Sequence, residues 1–146
     1  MGPSQEGILS HFRTIASATD LPIILYNIPS RTGVTIEQAT FLALSQDKHF
    51  VAVKQFGSDL SQVMDLINHT SLKLLCGDDS SIFFTLCLGG HGAIPAAAHV
   101  RPDLYVPLFD LVRMGKIEGA RAVFCRPFAA LARECLIAAC EMNRLR

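Results

Sequence analysis

The stretch Phe50-Val51-Ala52-Val53-Lys54 decides how this chain folds. Its apolar side chains do not alternate with polar ones, a pattern that suits a parallel strand covered on both faces. Three further runs share this character: Pro22 to Ile28, Leu72 to Cys76 and Gly92 to Ala98. Outward from them lie segments with the spacing of helices that bury one stripe. Ile8, Phe12, Ile15 and Ala16 recur at helical intervals before the first run, as do Leu60, Val63, Met64 and Ile67 between the second and third.

Two more helices are expected at Thr35 to Leu44, with Thr35 as N-cap, and at Asp79 to Leu88, opened by a carboxylate and closed on Gly89 and Gly90. Pro102 suits a first helical turn, Leu104, Leu108, Leu111 and Val112 form the next apolar face, and Gly115 ends it. Pro127 divides the remaining helical stretch, Ile117 to Asn143, into two pieces. A helix followed by four strand-helix units is the signature of parallel βα repeats. Four such units make half of a (β/α)8 barrel, whose complete form takes about 250 residues. At 146 residues, the chain is either a smaller open sheet or such a half.

Composition narrows the class of function. Half of the residues are hydrophobic, enough for a core, and 13 basic side chains balance 13 acidic ones without runs of either sign. Scattered charge without aromatic-basic interleaving argues against nucleic acid. The apolar runs are too short to span a membrane, and the reading is of a soluble, cytoplasmic protein. Cys76, Cys87, Cys125, Cys135 and Cys140 contain no CxxC pair and are expected to be reduced core thiols. The five histidines show no metal-ligand spacing.

The chemistry-bearing candidates gather at the strand ends. Lys54 closes its strand, and in a barrel the C-terminal end of a strand is the catalytic face. Withdrawal of an amine from water favours its neutral form, which attacks a ketone to give a Schiff base. A lone lysine there also serves as an ordinary solvated residue, its stem reaching water. Tyr26 and Arg31 flank the end of the neighbouring strand in Tyr26-Asn27-Ile28-Pro29-Ser30-Arg31-Thr32-Gly33. A phenol near an amine relays protons, and a guanidinium grips a carboxylate through two parallel hydrogen bonds. The plainer roles are a loop-anchoring tyrosine and a surface arginine. Gly77-Asp78-Asp79 reads as a loop and helix cap with favourable dipole placement rather than a paired-carboxylate or metal site.

The Tyr26 to Gly33 segment, Val53-Lys54, Gly77-Asp78-Asp79 and Gly89-Gly90-His91-Gly92-Ala93-Ile94 follow one another in the order and spacing of a known family. From about Pro3 to about Arg126 the chain resembles the dihydrodipicolinate synthase and N-acetylneuraminate lyase family, its synthase branch more closely. The resemblance implies the C-terminal half of a TIM barrel, strands five to eight over residues 1–116, with 117–146 beginning a C-terminal helical extension. It implies that Lys54 is the Schiff-base lysine, Tyr26 the proton-relaying phenol, Arg31 the clamp for an aldehyde's carboxylate and Ile94 a border of the pyruvate pocket. No cofactor is implied beyond the covalent lysine imine with pyruvate. The implied reaction condenses pyruvate with aspartate semialdehyde in lysine biosynthesis, by a protein that forms homo-oligomers.

Departures from the family pattern are local. Gln55 stands where the family's lysine is commonly followed by an acidic residue, Pro95 follows Ile94, and His99 replaces a common asparagine. These point to a less typical member, and leave open as alternatives a lyase of the same family for another 2-oxo acid or aldehyde, or a truncated non-catalytic remnant. Pro3 to Gly7 resembles the segment after strand four, so the paired hydroxyl residues that bind the pyruvate carboxylate and the second tyrosine of the relay belong to strands outside this sequence. Two unpaired sheet edges are the expected result, with oligomerisation or poor stability as the consequence.

Overall fold

The protein is seen in a computed structural model that describes residues 2–57 and 59–125. Along the chain run α1 (Gln5–Ser17), β1 (Ile23–Asn27), a helical turn α2 (Pro29–Thr32), α3 (Gln38–Ser45), β2 (Phe50–Gln55), α4 (Leu60–His69), β3 (Lys73–Cys76), α5 (Ile82–Cys87), β4 (Gly92–Ala93), a 3-10 turn (Ala96–His99), α6 (Pro102–Arg113) and α7 (Ile117–Cys125). The strands form one sheet in the order β1-β2-β3-β4, every pair parallel. Each strand therefore lies beside its neighbour in sequence, returned through a helix, as parallel pairing requires.

Side chains alternate across a strand, and burial separates the two faces. Leu25, Val53 and Leu74 point to the helices and join Ile8, Phe41, Leu44, Phe50, Val63 and Leu66 in one core cluster. A second cluster gathers Cys76, Ile82, Phe83, Leu86, Tyr105 and Leu108 under α5, α6 and α7. The opposite face is bare at its first strand, where Ile24 is 49% and Tyr26 43% exposed. Helix starts are fixed by side chains: Ser4 accepts from Gly7 N–H, and Asp59 accepts from Ser61 and Gln62 N–H. Such caps contribute about 1 kcal/mol each.

Four expectations need correction. Gly92 to Ala98 is not one long strand: β4 stops at Ala93, and Pro95, extended at φ −84° and ψ 150°, leads the chain into the 3-10 turn. Thr35 does not cap α3, which starts at Gln38 after Glu37. Residue 35 gives its carbonyl to Gln5 Nε2 at 2.8 Å, and Ile36 N–H donates to Asn27 Oδ1 at 3.1 Å, so this segment is held out of the helix. Asp79 does not cap α5: its carboxylate accepts from Ala97 N–H, at the start of the 3-10 turn, and from the Tyr105 hydroxyl, while Asp78 accepts from Ser80 and Ser81. Of the thiols, Cys76 is buried but Cys87 and Cys125 are exposed. Cys135, Cys140 and the division at Pro127 lie outside the described residues.

Candidate active site

Parallel pairing of β1 with β2 sets Tyr26 opposite Lys54 and Asn27 opposite Gln55. Alternation sends the first pair to the bare face and the second to the helix side. On the bare face the ammonium Nζ of Lys54 lies 4.4 Å from the centre of the Tyr26 ring. That distance is within cation-π range, worth about 0.5–1 kcal/mol where water has access. The contact is with the face of the ring, at the C-terminal ends of two adjacent strands. A primary amine and a phenol thus share one open rim of the sheet.

On the helix side, an amide cluster fastens the same two strand ends. Asn27 Nδ2 donates to Gln55 Oε1 at 3.0 Å and to Gln62 Oε1 at 3.3 Å, and Gln55 Nε2 donates to Gln62 Oε1 at 2.7 Å. Gln62 Nε2 in turn donates to the Ile36 carbonyl at 3.0 Å. Asn27 and Gln55 are almost fully buried, and Phe56 N–H donates to the Asn27 carbonyl, continuing the ladder past β2. Buried polar groups are tolerated when each finds a partner, and a satisfied network fixes one arrangement. Sequence reasoning treated Gln55 only as a departure and gave Asn27 and Gln62 no role. The available signal was two amides placed one residue after Tyr26 and Lys54, with a third in the first turn of the following helix.

The remaining candidates stand around this rim without touching Lys54 through polar bonds. Arg31 lies in α2, which Gly33 closes in a left-handed conformation with φ 70° and its N–H bonded to the Pro29 carbonyl. Its side chain is exposed, and among the described residues no hydrogen bond or ion pair engages its guanidinium. Ile94 follows β4, donates its N–H to the Cys76 carbonyl at 2.8 Å, and leaves its side chain 43% exposed. A cleft of about 430 Å³ beside β1 is walled by His11, Phe12, Tyr26, Thr32 and Val34, without Lys54.

Neighbouring titratable groups are structural. Burial pushes the Cys76 thiol above its ordinary range, and its Sγ donates to the Asp78 carbonyl, so it is a poor nucleophile. Among the described residues, no group of three or more His, Cys, Asp or Glu side chains is placed to hold a metal. Nor is any helix there long and apolar enough to cross a membrane.

Known proteins carry the same arrangement of elements. Residues 1–134 match the model of the dihydrodipicolinate synthetase family. The 4-hydroxy-tetrahydrodipicolinate synthase of Moorella thermoacetica is 42% identical over 123 residues, 83% of this chain and 42% of that protein. Among solved structures, dihydrodipicolinate synthase from Aquifex aeolicus superposes with a TM-score of 0.86 at 31% identity, covering 90% of this chain and 46% of the other. The chloride-inhibited dihydrodipicolinate synthase from Acinetobacter baumannii, complexed with pyruvate, gives 0.84 at 27% identity over the same shares. This chain thus spans a little under half the length of these relatives, and its four βα units correspond to part of their barrel. Likeness in sequence over most of the chain, and in the path of the backbone, shows that it belongs to the dihydrodipicolinate synthetase family.

Proposed function

We propose that this chain supplies the imine-forming half of a pyruvate-dependent lyase site, with Lys54 as nucleophile. The Lys54 amine nitrogen adds to the ketone carbon of pyruvate, and the oxygen leaves as water to give an imine. Loss of a methyl proton turns the imine into an enamine, whose carbon attacks an aldehyde; hydrolysis then frees the amine. Tyr26, facing Lys54, moves the protons between carbinolamine, water and imine. Arg31, exposed and without an ion partner among the described residues, receives the carboxylate of the aldehyde, for which aspartate semialdehyde is the proposed substrate, and Ile94 borders the pyruvate. The product would enter lysine and diaminopimelate biosynthesis, in the cytoplasm. No cofactor takes part, since the imine is itself the electron sink.

The observation that carries this reading is the Tyr26–Lys54 pair, facing each other in register at the C-terminal rim of a parallel sheet in this family. It is tested by incubating the chain with pyruvate and borohydride. The expected result is one reduced pyruvate unit on Lys54, located by peptide mass spectrometry and absent in Lys54→Ala. A folded sample that acquires no adduct would overturn the proposal. An adduct without turnover of aspartate semialdehyde would retain Lys54 as the imine lysine and remove the complete synthase activity from this chain.

A further inference from the structure

Gly77 follows β3 directly, and the side chain of Lys54 lies across it. A Cβ placed at residue 77 would stand 2.9 Å from Lys54 Cε, 3.1 Å from Lys54 Cγ and 3.1 Å from the Gln55 carbonyl oxygen. Carbon atoms do not approach so closely, since packing distances lie near 3.5–4.0 Å. Gly77 is absent from the glycines with positive φ, so its backbone conformation is open to any residue. The demand for glycine here is a demand for space beside the lysine arm.

The backbone has little freedom to supply that space another way. Gly77 N–H donates to the Gln55 carbonyl at 2.7 Å, extending the β2–β3 pairing one step beyond Gln55 and Cys76. Gln55 is itself held from the helix side by the amides of Asn27 and Gln62. A methyl group at 77 would therefore meet one anchored atom, the Gln55 oxygen, and one movable group, the four-carbon arm of Lys54. The arm gives way.

We propose that Gly77 is a positioning residue for Lys54: its bare Cα is the floor on which the lysine arm rests, and it directs Nζ to the Tyr26 ring. The inference rests on Lys54 being the imine-forming amine, and extends that reading to the residue that aims it. Displacement of a reacting atom by about 1 Å costs up to about a hundredfold in rate, so a methyl group at 77 acts on chemistry out of proportion to its size.

The test is a cycle on the full chain: wild type, Gly77→Ala, Lys54→Ala and the double variant. Urea unfolding is measured for all four, and the pyruvate trapping rate for the two that retain Lys54. Trapping in Gly77→Ala is expected to slow by at least about tenfold. Its loss of unfolding midpoint should largely disappear in the Lys54→Ala background, where the arm is gone. Trapping at the wild-type rate would overturn the proposal, as would an equal midpoint loss in both backgrounds, which would place the clash on the Gln55 carbonyl. If Gly77→Ala does not fold, a folded double variant supports the proposal and an unfolded one overturns it. Failure of wild type to trap pyruvate would instead defeat the function proposed for Lys54, and the unfolding cycle would still decide whether residue 77 shapes its arm.

Discussion

Replacing Asn27 by alanine removes the junction between β1, β2 and the segment leading into α3. Three hydrogen bonds go: two donated by Nδ2, to Gln55 at 3.0 Å and Gln62 at 3.3 Å, and one accepted from Ile36 N–H at 3.1 Å. Asn27 is 1% exposed, so water does not replace it without a rearrangement. Each lost bond is worth about 1 kcal/mol net, and a buried group left without a partner adds about 1–3 kcal/mol. Gln62 Oε1 keeps its bond from Gln55, leaving Ile36 N–H and Gln55 Oε1 as the stranded groups. The sum, discounted for partial relaxation, is about 3–5 kcal/mol. Against a typical total of about 5–15 kcal/mol this is a large fraction. Urea unfolding followed by circular dichroism reads it directly, with Asn27→Asp as a companion that keeps the acceptor for Ile36. A loss below about 1 kcal/mol for Asn27→Ala would show that the amide cluster does not hold the strand ends, since even one unpartnered buried donor costs more.

Two further outcomes are expected. The Asp47 carboxyl, bonded by the backbone N–H and then the ring of His49, is held below the ordinary value of 3.8. Its contribution to stability is complete above the unfolded-state value and disappears as pH falls through the folded one. Proton titration by NMR should show Asp47 rising part of the way in His49→Ala, because the backbone bond remains; an unchanged value would remove the ring from the account. Among the described residues β1 and β4 each pair on one side only, and these edges, together with exposed Ile24, Tyr26, Val51 and Ile94, are expected to bring copies of the chain together. Sedimentation at micromolar concentration should detect species larger than one chain, and a strictly monomeric boundary would contradict this.

Much of the architecture was legible because apolar runs and helical stripes carry periodic information. The first three strands lie where the runs at Pro22, Phe50 and Leu72 place them, within a residue or two at each end. The reason assigned to Phe50-Val51-Ala52-Val53 was incomplete. Pairing passes from Ile23–Phe50 to Ile24–Ala52, so Val51 is an extra residue in β2. That bulge lets Phe50 and Val53 both face the helices, and it breaks the alternation that coverage of both faces was invoked to explain. The fourth strand was overrun because hydrophobicity does not mark where pairing stops: the apolar run continues through Pro95 into the 3-10 turn. At the site, register brought Tyr26 to Lys54, a contact the spacing of two motifs implied without fixing. Asn27, Gln62 and Gly77 stayed silent because their work depends on partners distant in sequence: an amide counts only with its acceptors, and an absent side chain only with what fills its place.

The sequential strand order has a consequence for how the molecule comes into being. Even the widest separation in the sheet, that between paired residues of β1 and β2, spans a single returning connection, and β2–β3 and β3–β4 are joined through one helix each. Each loop to be closed is short, and its entropic cost grows only slowly with length. As the chain leaves the ribosome, β2, β3 and β4 each find the strand that precedes them in the sheet already emerged. Assembly is then an additive process, in which the lysine of one unit meets the tyrosine of the unit before it as soon as β2 docks, before β3 and the glycine that follows it have taken their places in the sheet.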